Sequence, residues 1–126
     1  MSNIKLPPGM SNFNFYMKEV GKTIKSSKIK HVWEVTIDGQ YHTVELFSSK
    51  ISGKLKVVKD GTVLFFEDEF SGLLSLPFTI GKHNCSLIQS GENYEFRIDN
   101  MVFSHLMELE KSKNLFGGND PISISY

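Results

Sequence analysis

Between Trp33 and Gly61 apolar and polar residues alternate, and Asp-Gly breaks the alternation at 38–39 and ends it at 60–61. A period of two is that of a strand with one buried face. Trp33, Val35 and Ile37 share one face, and Glu34 and Thr36 the other. Asp38-Gly39 supplies the positive φ that a two-residue hairpin loop needs at its centre, so a turn is predicted there. In the second strand Tyr41, Thr43, Glu45 and Phe47 alternate with His42, Val44 and Leu46. Ser52-Gly53 bends the chain, and Leu55 to Val58 makes a third strand ending at Asp60-Gly61. The rest of the chain has to cover this meander.

The same reading continues downstream. Thr62 to Glu67 is a fourth strand, closed by the acidic cluster Glu67-Asp68-Glu69. Leu74, Leu76, Phe78 and Ile80 alternate in a fifth, which Pro77 assigns to a sheet edge or a bulge because it lacks a backbone donor. His83 to Ser90 is a sixth, with Cys85 and Leu87 inward; Tyr94, Phe96 and Ile98 line a seventh, and Asp99-Asn100 turns the chain. Met101, Phe103, His105, Met107 and Leu109 define an eighth, with Leu106 on its other face. Eight short strands separated by turn residues, with no convincing long helix, predict an all-β fold: an antiparallel β-sandwich of about eight strands in two sheets over residues 31–110.

The flanks read differently. Residues 1–30 are rich in Lys, Ser and Asn and open with Leu6-Pro7-Pro8-Gly9. Phe13, Met17, Val20 and Ile24 have roughly helical spacing, but Gly21 makes an isolated helix marginal. The segment is therefore expected to be a basic extension whose Phe13, Phe15, Tyr16 and Met17 are candidates for docking into a partner. Glycines set off the tail, residues 111–126, and its Ile122, Ile124 and Tyr126 could add a strand to a sheet edge.

The 126 residues, 40% of them apolar, suffice for one self-supporting domain. Formal net charge is zero, yet residues 1–30 carry six Lys against one Glu, leaving the body acidic. Cys85 is the single cysteine, so no internal disulfide can form. The N-terminus has no apolar run of signal-peptide length, and the longest apolar runs, such as Val63 to Phe66, fall far short of the ~20 residues needed to cross a bilayer. A cytoplasmic protein without a membrane span is expected, with cytoskeletal association as a variant of that expectation.

One family resemblance runs through the meander. Trp33 with Val35, Asp38-Gly39, His42-x-Val44-Glu45, Ser52-Gly53-Lys54 and Asp60-Gly61 stand in the order and at the spacing of the Fas apoptotic inhibitory molecule domain. Phe78 to Ile80 with Gly81-Lys82, and Tyr94 through Asn100, resemble its later strand and hairpin. The resemblance covers residues 31–110 in a single copy, whereas animal members carry two. Lys56 and Lys59 replace apolar residues of the family pattern, and Asn100 its turn glycine. The resemblance implies a β-sandwich with a cytosolic regulatory role in apoptosis or protein homeostasis.

Catalytic and metal motifs are sparse. His31, His42, His83 and His105 show no His-x-His, His-x-x-x-His or His-Glu-x-x-His spacing, so no metal and no cofactor are expected. His83 and Cys85 share a strand face at about 7 Å, too far for thiolate activation. Glu67, Asp68 and Glu69 alternate faces and cannot flank a glycosidic bond together. Lys50, Lys54, Lys56 and Lys59 lie near Tyr41 and Phe47, a composition seen in single-strand-binding barrels. The acidic body opposes that reading, and lysines also guard strand edges, so nucleic acid is not an expected partner. The sequence predicts a non-enzymatic protein-binding β-sandwich, monomeric or part of a hetero-assembly. The alternative is a structural subunit of a larger cytoskeletal or axonemal assembly, docked through its terminal tails.

Overall fold

The computed structural model describes residues 5–116. Nine strands and one α-helix, with a 3-10 turn at Lys25–Ser27 between the first two strands, follow in order: β1 (Met10–Glu19), β2 (Lys28–Ile37), β3 (Gln40–Ser49), β4 (Leu55–Lys59), β5 (Thr62–Glu67), β6 (Ser75–Ile80), β7 (His83–Ser90), β8 (Asn93–Ile98), β9 (Met101–Val102) and α1 (Phe103–Phe116). All strand pairs are antiparallel neighbours in sequence, giving a five-stranded sheet, β1 to β5, and a four-stranded sheet, β6 to β9. This is the expected all-β sandwich. Pro77 lies on β6, the edge of the second sheet, where its missing N–H breaks no ladder. No helix among the described residues is long and apolar enough to cross a membrane.

The core lies between the sheets and under α1. Trp33, Val35, Val44, Leu46 and Val57 from the first sheet meet Leu87, Phe96 and Ile98 from the second. Rings form a connected chain through it: Phe13 to Phe103 at 5.4 Å, Phe103 to Phe96 at 5.5 Å, Phe96 to Trp33 at 5.9 Å and Trp33 to Phe15 at 5.2 Å. Each such pair adds about 0.5–1.5 kcal/mol beyond the burial of its surface.

Two segments depart from the sequence reading. Met10–Glu19 is not an extension but the first strand of the sheet, paired along β2 from Met10↔Ile37 to Glu19↔Ile29. Its period of two is hidden by a bulge between Ser11 and Asn14, where Asn12 takes φ 57°. The extra residue lets both Met10 and Phe13 face inward, and that spacing mimics a helical stripe. At the strand's start, a Cβ on Gly9 would lie 2.4 Å from the Asp38 carboxylate, and Gly9 itself has φ 83°. Only glycine admits that approach.

The second departure is the expected eighth strand. Pairing stops after Val102, and the chain turns into α1. Phe103 and Leu106, three apart, are buried, and Met107 packs beside them; Leu106 is 0% exposed although alternation had put it outside. His-Leu-Met-Glu-Leu-Glu-Lys is rich in strong helix formers, and a stripe at i, i+3 and i+4 satisfies the core better than a strand would. The lysines of β4 also prove to be internal to the sheet, between β3 and β5. Rather than guarding an edge, Lys56 and Lys30 lie over the Phe47 ring at 4.9 and 5.5 Å.

His31 is the one buried polar residue among those described, at 8% exposure, stacked on Trp33 with Tyr94 edge-on at 5.1 Å. Its Nδ1 has no hydrogen-bond partner. Burial pushes its pKa below 6.5, partly offset by the backbone of Leu46. The unfolded chain therefore takes up the His31 proton first as pH falls. The native state is fully stable with respect to this group above about pH 6.5 and loses stability below it. Denaturant titrations at about pH 7.5 and 5.5 should show a smaller acid loss in His31→Phe than in the parent. Trp33→Ala, which removes the centre of the aromatic chain, should cost about 3–5 kcal/mol in the same titration.

Candidate functional site

β1 is an edge strand, but its two halves are treated differently. Along the first half, the Glu110 carboxylate of α1 accepts from Asn12 N–H at 2.6 Å and Phe13 N–H at 2.9 Å. These are the donors released by the bulge, and an ionised acceptor makes such bonds worth more than neutral ones. Along the second half, from Asn14 to Glu19, β2 pairs one side and no described element pairs the other. Tyr16 is 43% exposed there and Met17 59%.

Beside this edge an open cleft of about 330 Å³ runs between β1–β2 and β8–α1. Phe15, Trp33, Tyr94, Phe96, Phe103 and Met107 supply its apolar walls, and Ser90, Asn93, Glu95 and Ser104 its polar rim. Met17, opposite His31 in the ladder, continues the Phe15 row past Trp33. Burial raises the pKa of Tyr94, against a hydrogen bond from Ser48, so the phenol stays neutral. An apolar cleft with a few polar groups, next to unpaired strand backbone, suits an extended peptide.

Four of the sequence candidates fall on β1, and they split. Phe13 is core, Phe15 is a half-buried cleft wall, and only Tyr16 and Met17 present themselves to solvent. The expected basic extension is thus replaced by a fixed strand edge. Ile122, Ile124 and Tyr126 lie outside the described residues. Tyr94, Phe103 and Met107 are absent from the sequence candidates because the alternation assigns them to sandwich strands, and Glu110 because it ends the expected domain with no role of its own.

A second constellation sits at the opposite end of β7. His42 Nδ1 is 2.8 Å from Asp60 Oδ2, and His83 Nδ1 is 2.7 Å from Asp99 Oδ2. Both imidazoles, one from each sheet, line a cleft of about 370 Å³ with Ile37, Asp38, Gln40, Ile80 and Lys82. The lining holds no hydroxyl or thiol. Nearby Cys85 is buried, its thiol pushed up to about 12 chiefly by desolvation, so it is no thiolate nucleophile at neutral pH. Among the described residues no three His, Cys, Asp or Glu side chains gather around one metal-sized point. The sequence carries one signal for these pairs: the register of consecutive hairpins brings an Asp of one turn beside a His of the preceding strand.

Comparison with family models, curated proteins and solved structures returns no match.

Glu110→Ala should remove both acceptors at the bulge. The expected loss is about 1–3 kcal/mol, as for hydrogen bonds to a charged group, with faster amide exchange at Asn12 and Phe13. A change below about 0.5 kcal/mol would place the helix end elsewhere.

Proposed function

We propose that the chain is a non-enzymatic protein-binding β-sandwich that receives an extended segment of a partner along the free half of β1. The partner's backbone bonds to the open edge from Asn14 to Glu19, and one of its apolar side chains enters the aromatic cleft. The observation that supports this most is the juxtaposition itself. Unpaired backbone, exposed Tyr16 and Met17 and an apolar cleft lie side by side, while the other half of the same edge is closed by Glu110. In this mode main-chain bonds supply affinity and the pocket supplies selectivity.

The resemblance to the Fas apoptotic inhibitory molecule family supports placing that recognition in the cytosol, in a regulatory role in apoptosis or protein homeostasis. A regulator that meets client segments in extended form would need such an edge.

Selection of peptides from a displayed random library on the full chain tests the reading. The winners should alternate apolar and polar residues, shift the amide resonances of β1 and the cleft walls, and lose binding to a Tyr16→Asp/Met17→Asp variant. Those two positions are exposed, so the variant should keep its stability within about 1 kcal/mol. Selected peptides that bind the variant undiminished, or that map away from β1, contradict the proposal.

A further inference from the structure

The two His–Asp pairs share more than a distance. Asp60 and Asp99 each occupy a left-handed turn position, at φ 48° and 50°. Each donates its own N–H to the carbonyl of the residue after the histidine, Thr43 at 2.9 Å and Asn84 at 2.7 Å. Each Oδ1 accepts from that same residue's N–H, at 2.8 and 3.1 Å, and each Oδ2 holds the histidine Nδ1. The arrangement occurs once in each sheet, and both copies deliver their imidazole into one cleft.

An ionised carboxylate can only accept, so the proton of each ring sits on Nδ1 and the lone pair is on Nε2. Among the described residues neither Nε2 has a hydrogen-bond partner. Both side chains are largely buried, at 17% and 16% exposure. A ring oriented by a carboxylate on one nitrogen and left open on the other is the arrangement of metal-bound histidine. The local charge has the matching sign. Asp38, Asp60 and Asp99 face Lys82 and Lys59, and the Lys59 ammonium is engaged with the Thr79 carbonyl at 2.9 Å. Carboxylates outnumber ammonium groups, which favours a cation over a phosphate or other anion.

We propose that His42 and His83 bind a divalent transition-metal ion through their Nε2 atoms, across the gap between the two sheets. Imidazole suits zinc, copper and nickel, while calcium and magnesium require oxygen donors. The Gln40 side-chain oxygen, in the same lining, and water fill the remaining positions, leaving the ion open to an external ligand. Asp60 and Asp99 are positioning residues: they fix the ring and its tautomer and do not touch the ion.

Zinc added to the chelator-stripped full chain tests this, with ring nitrogens followed by long-range proton–nitrogen correlation. One equivalent should move the Nε2 resonances of His42 and His83 and leave those of His31 and His105 in place. Asp60→Asn should weaken zinc binding by about tenfold or more, as loss of a carboxylate behind a histidine ligand does, with the melting temperature of the metal-free chain little changed. His42→Ala/His83→Ala should abolish binding. Unmoved ring resonances in excess zinc overturn the proposal, as does a response confined to His105 or the chain termini. Affinity that survives the double substitution does the same, and the ring measurement on the parent chain decides the matter even if that variant is unstable.

Discussion

The contact between Glu110 and the β1 bulge is the constraint that organises the rest. A bulge frees two adjacent N–H groups, one at exposed Asn12 and one at part-buried Phe13, and bonds to an ionised acceptor are worth more than neutral ones. Glu110 meets both, so the bulge persists and Phe13 turns into the core beside Phe103. The same carboxylate fixes where α1 lies. With its C-terminal half pinned to β1, the helix drops Phe103 and Leu106 onto Phe96 and the second sheet. One ionic acceptor, placed ninety-eight residues from its Asn12 donor, thus closes the first half of the edge, and the cleft lies beside the half left open.

Turn chemistry carries a comparable share of the architecture. Asp38, Asp60 and Asp99 all sit in left-handed positions, and each N–H extends the ladder to the strand beyond its own hairpin, onto Gly9, Thr43 and Asn84. Each turn is therefore bonded to a third strand, and its φ is paid for by that extra bond and by the side-chain contacts around it. At Asp38 the neighbour is a glycine, and the carboxylate fills the space a Cβ would need. At the other two the neighbour follows a histidine, and the carboxylate is shared between backbone and ring. One local device yields a structural closure in one case and a pair of oriented imidazoles in the other two.

How much of this could be read in the sequence follows from which interactions are local. Strands from Trp33 to Ile98 were legible because each pairs with its sequence neighbour, and because Asp-Gly, Asp-Asn and Ser-Gly mark the turns where period-two alternation stops. Trp33, Val35, Leu87 and Phe96 were legible as core for the same reason. β1 was not, since the bulge at Asn12 shifts its apolar residues out of phase and its partner begins nine residues after it ends. Met101 to Leu109 satisfies alternation and a helical stripe at once, so only the tertiary demand of Phe103 and Leu106 decides between them. Of the four docking candidates on β1, Tyr16 and Met17 are exposed while Phe13 is core, a split that follows from the strand and not from the expected extension. The histidine pairs were invisible to motif spacing because their geometry is set by inter-hairpin register.

Residues 14–19 form a strand paired on one side and open on the other. Amide hydrogen exchange on the free chain tests this directly. Protection should alternate, with amides directed at β2 exchanging slowly and the intervening ones, directed at solvent, exchanging fast. Fast exchange at every position would mean a loose arm, and uniform protection would mean an edge already covered; either would contradict the structure-based account of how this protein binds.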